Sequence, residues 1–188
     1  MSESLNKILY DPFSYLHSQR LKLNNHLILT AICRSAVNDL IFDVYHLTSP
    51  DVKINTQLKF WLRYWDYLPQ IVYLVGCHVN REKLMWRGRI LSIPEWARDY
   101  LKMAQPYTSE LISSTLEKPT NSVILKAGYS GLIEYIEELP IPLKQRFPLL
   151  FPDWIDNVDS QFTINPFILR IISQYVEKNK PIMPADIC

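Results

Sequence analysis

Apolar residues recur three and four residues apart along most of the chain, and this pattern predicts a succession of helices. Asp11-Pro12 predicts the start of a short helix that runs to about Gln19. A long, well-buried helix is expected from Asn24 or Asn25, with an apolar stripe formed by Leu27, Ile28, Ala31, Ile32, Ala36, Leu40, Val44 and Leu47. A third helix places on one face Ile54, Leu58, Trp61, Leu62 and Trp65.

Proline, glycine and capping residues mark the ends of further helices. Pro69 predicts the start of a helix that is interrupted near Gly76, and helical character resumes until Gly88. The sequence Ser92-Ile93-Pro94-Glu95 matches a capping box and predicts a helix with Trp96, Ala97, Tyr100, Leu101 and Ala104 on one face.

Two more helices are expected in the second half of the chain, from about Ser122 to Leu139 and from Asn165-Pro166 onward. Compact turns must lie between them, because Pro140, Pro142, Pro148 and Pro152 exclude a long helix. Strand patterns are scarce, so the sequence predicts an all-α, proline-punctuated, compact globular fold. With 188 residues we expect a single domain over 1–188, and only residues 105–122 suggest a subdivision.

Composition narrows the function classes. Lys and Arg number 20 against 19 Asp and Glu, and a net charge of +1 lacks the strong field that nonspecific nucleic-acid binding needs. Only 4 glycines stand against 13 prolines, which disfavours phosphate-cradling loops. Aromatic residues reach 12%, more than a core of this size requires, so some are expected at a contact surface.

Cysteine spacing and the chain terminus indicate a reduced cytoplasmic environment. Cys33, Cys77 and Cys188 form no CxxC pair, which argues against a zinc site or a disulfide framework. The polar N-terminal segment lacks the apolar region of a signal peptide. The longest apolar run, Ile71 to Cys77, is too short to span a membrane, so no direct membrane insertion is expected.

The sequence contains no strong candidate for a catalytic group. Gly128-Tyr129-Ser130-Gly131 is one residue too short for a nucleophile elbow and is better interpreted as helix packing. Cys77-His78 could form a nucleophilic pair of a thiolate and an imidazolium. Adjacent helical residues point about 100° apart, however, which favours a buried thiol beside a surface or capping histidine. An acidic helix face is more simply a solvated flank, and its carboxylates are Glu134, Glu137 and Glu138. We therefore expect no catalytic, cofactor-binding or metal-binding residues.

Three segments are candidate partner-binding surfaces. A basic run surrounds Met85 and Trp86, and its cations are Arg81, Lys83, Arg87 and Arg89. The favoured alternative for this run is a solvated helix face with Trp86 in the core, and nucleic-acid contact is the weakest option. Tyr64 and Tyr67 fall outside the stripe of the third helix, which makes them interface candidates. The rigid segment 147–152, with Phe147, Leu149 and Phe151, could dock on a partner, although docking on its own chain is favoured.

Several long, irregular stretches resemble the OrgA/MxiK family, the SctK component of type III secretion systems. They span nearly the whole chain, look most similar to the OrgA branch, and comprise Ile8–Leu21, Trp61–Trp65, Leu68–His78, Ile93–Ala97, Gln145–Pro152 and Pro184–Cys188. The resemblance implies a non-enzymatic adaptor of the sorting platform at the cytoplasmic face of the bacterial inner membrane. Its implied partners are the cytoplasmic domain of the ring protein SctD and the pod protein SctQ, which connects to SctL and the SctN ATPase.

Two other function classes remain open. A secretion chaperone or regulator would use exposed aromatic residues to hold an unfolded export substrate. A small hydrolase would require Cys77 or a glutamate pair to share a cleft with perturbed pKa values. For the adaptor, the hypothesis from the residues is that the basic run and the Tyr64 region form one surface and the 147–152 segment another.

Overall fold

The computed structural model describes residues 2–21, 30–48, 52, 55–103 and 119–183, and every regular element in these ranges is a helix. The α-helices are α1 (Ser2–Tyr10), α2 (Ala31–Val44), α3 (Thr56–Tyr64), α4 (Leu68–Val79), α5 (Arg81–Met85), α6 (Glu95–Met103), α7 (Asn121–Ser130), α8 (Ile133–Glu137), α9 (Ile141–Arg146) and α10 (Pro166–Asn179). Short 3-10 helices occupy Pro12–Ser14, Trp65–Tyr67, Trp86–Ser92, Phe147–Leu150 and Asp153–Asn157. The predicted all-α fold is confirmed.

Polar side chains fix the first turns of four of these helices. The Thr30 side chain accepts from the backbone N–H of Cys33, Asn55 from Leu58, Thr120 from Val123 and Asn165 from Phe167. Each bond satisfies a backbone donor that the helix itself leaves unpaired. The last of these caps, together with Pro166 at the first helical position, confirms the predicted start of α10.

The described residues form two compact units. The first is built from residues within Met1–Asp66 and Tyr135–Asn157, and the second from residues within Tyr67–Glu134 and Val158–Ile187. Of the predicted division at 105–122, residues 105–118 lie outside the described residues, and 119–122 belong to the second unit. A single domain over 1–188 stays a prediction.

Aromatic packing builds the core of the first unit. Phe147 lies edge-on to Trp61 and Trp65, with ring centroids 5.7 and 6.2 Å apart, and stacks with Phe151 at 5.8 Å. The buried Arg20 guanidinium ties this segment down, because it donates to the carbonyl of Phe151 and forms a two-pronged ion pair with Asp156. The proline-rich stretch is therefore a set of compact turns, as expected.

The second unit is organised around α4, which is buried along nearly its whole length. Helix α7 crosses it closely at Gly76 and Gly128, where each glycine meets backbone atoms of the other helix. On another side Tyr73 contacts Trp96 of α6, and Tyr100 contacts Tyr175 of α10. The interpretation of Gly128-Tyr129-Ser130-Gly131 as helix packing is consistent with this crossing.

Several predicted helix boundaries are wrong. The helix expected from Asp11 to Gln19 is only the 3-10 turn Pro12–Ser14, and the Asp11 side chain bonds to Arg34 and Asn38 instead of capping it. Gly76 does not interrupt α4, because its lack of a side chain admits α7. The helix expected over 122–139 is split into α7 and α8, since the chain turns at Gly131 and the Gly131 carbonyl accepts from the N–H of Ile164.

The capping box predicted at Ser92–Glu95 has a different geometry. Helix α6 begins at Glu95 with the Pro94 carbonyl accepting from the N–H of Arg98, while the Ser92 hydroxyl donates to the carbonyl of Arg89. The predicted inner face is confirmed at Ala97, Tyr100 and Leu101, which are all buried. Trp96 is half-buried, and Ala104 lies outside the described residues.

The expectation of a long, well-buried second helix is also wrong. Helix α2 begins at Ala31, and the predicted start at Asn24 or Asn25 lies outside the described residues. Within α2 only Asn38 and Ile41 are buried, whereas Ile32 is 82% exposed. The apolar stripe is present, but most of it faces solvent.

Candidate functional site

The basic run lies where α5 gives way to the 3-10 helix Trp86–Ser92. Arg87 and Gly88 both adopt left-handed backbone conformations, with φ of 50° and 74°. Glycine reaches this region at no steric cost, whereas for an arginine it costs about 1 kcal/mol. The pair turns the chain sharply between Leu84, which is fully buried, and Leu91, which is 73% exposed.

Apolar and cationic side chains that solvent reaches lie close together in sequence at this turn. We call this group the Trp86 surface, and it comprises Met85, Trp86, Arg87, Arg89 and Leu91. Trp86 is 50% exposed, so the favoured interpretation that it inserts in the core is wrong, and Leu84 takes that place. The Arg87 guanidinium lies over the Trp86 ring at 5.6 Å from its centroid.

The other two cations of the run have different surroundings. Arg81 is half-buried, and its Nε donates to the Leu101 carbonyl at 3.4 Å, which links α5 to α6. Lys83 is also half-buried. Arg87 is therefore the exposed cation of the run, whereas Arg89 is half-buried like Arg81 and Lys83.

Leu91 was not singled out from the sequence, although it belongs to the same exposed group. The only local signal for it is Gly88, whose positive φ marks a turn that takes the following residues off the helix axis. Exposed apolar side chains with an arginine stacked on tryptophan suit contact with a protein surface that offers carboxylates and apolar side chains.

The aromatic candidates of the third helix are placed differently. Tyr64 is 6% exposed, packs against Phe60 with ring centroids 4.9 Å apart, and lies under the Arg63 guanidinium. Tyr67 is half-buried. Because it is buried, the side chain of Tyr64 serves the core of the first unit, whereas the basic run belongs to the second unit.

The candidate segment 147–152 is part of the first unit's core. Phe147, Leu149 and Phe151 are all buried, at 1% exposure or less. The Leu149 carbonyl also accepts from the N–H of His17 at 2.8 Å. These side chains are unavailable to a partner in this conformation, which favours the alternative that the segment docks on its own chain.

The Cys77-His78 pair has no nucleophilic geometry. Cys77 is fully buried in α4, and burial raises the pKa of its thiol. His78 is buried as well, contrary to the expectation of a surface or capping histidine, and its Nδ1 lies 3.1 Å from the Tyr100 hydroxyl. Burial and the charge of Arg81 lower the pKa of His78, so the imidazole is held neutral against its tyrosine.

The acidic flank is exposed, as expected. Glu137 of α8 forms an ion pair with Lys144 of α9. Glu138 accepts a hydrogen bond from the side-chain amide of Gln57 at 2.6 Å, and Glu134 faces solvent. Exposed carboxylates of this kind are typical of a solvated helix flank. Among the described residues, no group of three His, Cys, Asp or Glu side chains could hold a metal ion, and no helix is long and apolar enough to cross a membrane.

Comparison with known proteins gives matches over almost the entire chain. The family described as "Bacterial type III secretion apparatus protein (OrgA_MxiK)" matches residues 5–166. Oxygen-regulated invasion protein OrgA of Salmonella typhimurium is 36% identical over 184 residues, which cover 97% of this chain and 91% of the relative.

Two further relatives are more distant or shorter. Protein MxiK of Shigella flexneri is 24% identical over 144 residues, covering 77% of this chain and 71% of the relative. The putative uncharacterized protein YgeO of Escherichia coli K12 is 34% identical over 116 residues, covering 62% of this chain and 82% of its own length. No solved structure matches the chain significantly.

Proposed function

The chain belongs to the OrgA/MxiK family of bacterial type III secretion apparatus proteins, and from this premise we propose that it is a non-enzymatic adaptor of that apparatus. It joins the cytoplasmic domain of the inner-membrane ring protein SctD to the pod protein SctQ, and through SctQ it reaches SctL and the SctN ATPase. It works in the cytoplasm, at the inner face of the inner membrane, and is needed for assembly and export.

The Trp86 surface is the observation that carries this proposal. Tryptophan and arginine dominate the binding energy of protein interfaces, and here they are stacked and exposed, with the exposed Met85 and Leu91 close by in sequence. The left-handed Arg87-Gly88 turn holds them in place at an energetic cost, which is typical of functional sites. The buried, neutralised Cys77-His78 pair supports a binding role over a hydrolytic one.

Size-exclusion chromatography with light scattering tests the adaptor role. The full chain is run alone, with the SctD cytoplasmic domain, with SctQ, and with both. We expect co-elution with each partner and a ternary complex when all three are present. Binding to neither folded partner at concentrations well above micromolar overturns the proposal, and binding to an unfolded export substrate instead would identify a secretion chaperone.

A charge-reversal pair tests the surface itself. Arg87→Glu/Arg89→Glu is expected to weaken one of the two pairwise complexes at least tenfold and to leave the other unchanged, measured by calorimetry. Lys59→Glu/Arg170→Glu is the matched control, because both side chains are exposed and the change in net charge is the same. Unchanged affinity for both partners in the first variant would exclude the Trp86 surface from the adaptor's contacts.

A further inference from the structure

A second exposed apolar surface lies on the outer side of α2. Ile32, Ala36, Leu40 and Val44 are all exposed and stand four residues apart. At 1.5 Å rise per residue this row is about 18 Å long, or more than three helical turns. Residues four apart lie one above the other on a helix, so the four side chains form a continuous ridge.

Among the described residues, helix α2 packs on the apolar core of the first unit through the side opposite the ridge. Ile41 is buried in a cluster with Leu47 and Leu149, and Val37 and Phe42 pack against that cluster. The sequence pattern predicted a well-buried helix, yet the described residues leave Ile32, Leu40 and Val44 exposed. The remaining apolar ridge is of the kind that marks a protein interaction site.

Two carboxylates run beside the ridge, and their charges are not compensated within the described residues. Asp39 and Asp43 are both exposed, and neither forms an ion pair with a described residue, whereas the nearby Asp11 is paired with Arg34 at 2.5 Å. Like charges four residues apart destabilise a helix. A cation supplied by a partner would remove that repulsion.

The same carboxylates border a cleft of about 450 Å³. Its aromatic walls are Tyr10 and Phe42, and its polar lining is Ser35, Asn38, Asp39 and Asp43. An aromatic face beside carboxylates is a favourable site for an ammonium or guanidinium group. The volume is sufficient for a lysine or arginine side chain.

We propose that the α2 surface, defined as Ile32, Ala36, Asp39, Leu40, Asp43 and Val44 with the adjoining cleft, binds a basic amphipathic helix of another protein of the secretion apparatus. The partner's apolar residues pack on the ridge, and one of its Lys or Arg side chains enters the cleft. This inference rests on the proposed function, because it supplies the adaptor's second contact surface, of opposite charge to the Trp86 surface.

The charge of the surface selects this occupant. An anionic lipid headgroup would be repelled by Asp39 and Asp43. A ridge with a four-residue period fits the grooves of a second helix, which is how an exposed amphipathic face commonly finds a partner.

Site-specific photocrosslinking in the secreting bacterium tests the inference with the full chain. Benzoylphenylalanine replaces Ala36 at the centre of the ridge, Leu91 in the Trp86 surface, or Lys59 as an exposed control position. The crosslinked segment is identified by mass spectrometry. We expect position 36 to capture a helical segment of another apparatus protein with Lys or Arg at helical spacing.

Charge variants then test the carboxylates. Asp39→Lys/Asp43→Lys should reduce the crosslink at position 36 at least tenfold, without loss of thermal stability, because lysine is a better helix former than aspartate. The matched control Glu3→Lys/Asp159→Lys carries the same change in net charge and should leave the crosslink unchanged. Reversing the captured segment's Lys or Arg residues to Glu should restore the crosslink to the Asp39→Lys/Asp43→Lys variant.

Four results overturn the inference. They are capture of a second copy of this chain, capture of a segment without basic residues, a crosslink that survives Asp39→Lys/Asp43→Lys, and no capture at position 36 while position 91 captures a partner. In the last case the proposed adaptor role stands and only the α2 surface fails. No capture at either position would instead count against the adaptor role itself.

Discussion

Gly128 of α7 faces the backbone of α4 so closely that a methyl group placed on it would lie 1.8 Å from the carbonyl oxygen of Val72. The relationship is reciprocal, because a methyl group on Gly76 would lie 1.9 Å from the carbonyl oxygen of Ile124. The contacting atoms are backbone, which cannot rotate away. The two glycines therefore set the distance between the helices at the centre of the second unit.

Gly128→Ala is expected to destabilise the protein by at least about 3 kcal/mol, at the upper end of the cost of overpacking, because α4 and α7 must move apart. Urea denaturation followed by circular dichroism measures the loss. Gly88→Ala is the control, since open space surrounds Gly88 and its φ of 74° is the one obstacle there. This second change should cost only about 1 kcal/mol. Equal losses in the two variants would contradict close helix packing as the cause.

The Arg146 guanidinium is fully buried and donates to three backbone carbonyls of the first unit. It donates to Leu9 at 2.8 Å, to Pro142 at 2.9 Å and to Thr48 at 3.1 Å. The Cζ atom of the guanidinium also lies 5.1 Å from the centre of the Phe42 ring. One side chain thereby connects α1, α9 and the chain after α2.

Arg146→Lys should lower the free energy of unfolding by about 2 kcal/mol, since an ammonium group cannot reproduce the planar fork that reaches three carbonyls. Arg146→Met should cost more, because the carbonyls of Leu9 and Thr48 would then lose a buried donor. Arg170→Met, at an exposed position of α10, is the matched control and should change stability little. A fully stable Arg146→Met variant would show that the buried charge is dispensable.

Local signals allowed some elements to be predicted from the sequence. Asn165-Pro166 identified the start of α10, because a cap and a proline act within one helical turn. The inner face of α3 was likewise predicted, since Leu58, Trp61, Leu62 and the adjoining Trp65 are all buried at helical spacing, while Ile54 lies outside the described residues. In these cases the information needed lies within a few residues.

Other features depend on what the rest of the chain covers, and the pattern alone could not supply them. The stripe of α2 is periodic, but whether Ile32 and Leu40 are covered depends on residues far away in sequence. Trp86 is exposed at a turn where Arg87 adopts a left-handed φ, which is rare for arginine and leaves no sequence signal of its own. Gly76 was predicted to interrupt a helix because glycine is a poor helix former. The pattern could not show that α7, about 50 residues away, packs against this glycine.

Because two of its histidines are buried, we expect the protein to lose stability in mild acid. Burial lowers the pKa of both His17 and His78, and the charges of Arg20 and Arg81 lower them further. The folded state therefore binds fewer protons than the unfolded state, so these groups stabilise the fold above their usual value of 6.5 and less as the pH falls below it. Urea denaturation at several pH values between about 5 and 7.5 measures this slope.

His17→Asn/His78→Asn should flatten that slope, because asparagine does not titrate and can still accept the bond that His17 receives from the N–H of Gln19. His46→Asn is the control, since His46 is exposed and asparagine tolerates its φ of 50°. Asp11 affects the stability of the fold at lower pH than the histidines do. Burial would raise its pKa, but hydrogen bonds from Arg34 and Asn38 lower it, so its contribution is lost only below about pH 4. If the dependence of stability on pH is unchanged in His17→Asn/His78→Asn, the two histidines are not its cause.

Trp86 and Trp61 are expected to respond oppositely to the same substitution. Trp61 is 2% exposed and packs against Phe147, so Trp61→Ala should cost about 3–5 kcal/mol of stability. Half of Trp86 faces solvent, so Trp86→Ala should cost under about 1 kcal/mol while weakening a pairwise complex at least tenfold. Thermal denaturation and calorimetry with SctD and SctQ measure the two effects separately. If Trp86→Ala destabilised the fold as strongly as Trp61→Ala, Trp86 would be a core residue; if it left both affinities unchanged, the Trp86 surface would have no part in binding either partner.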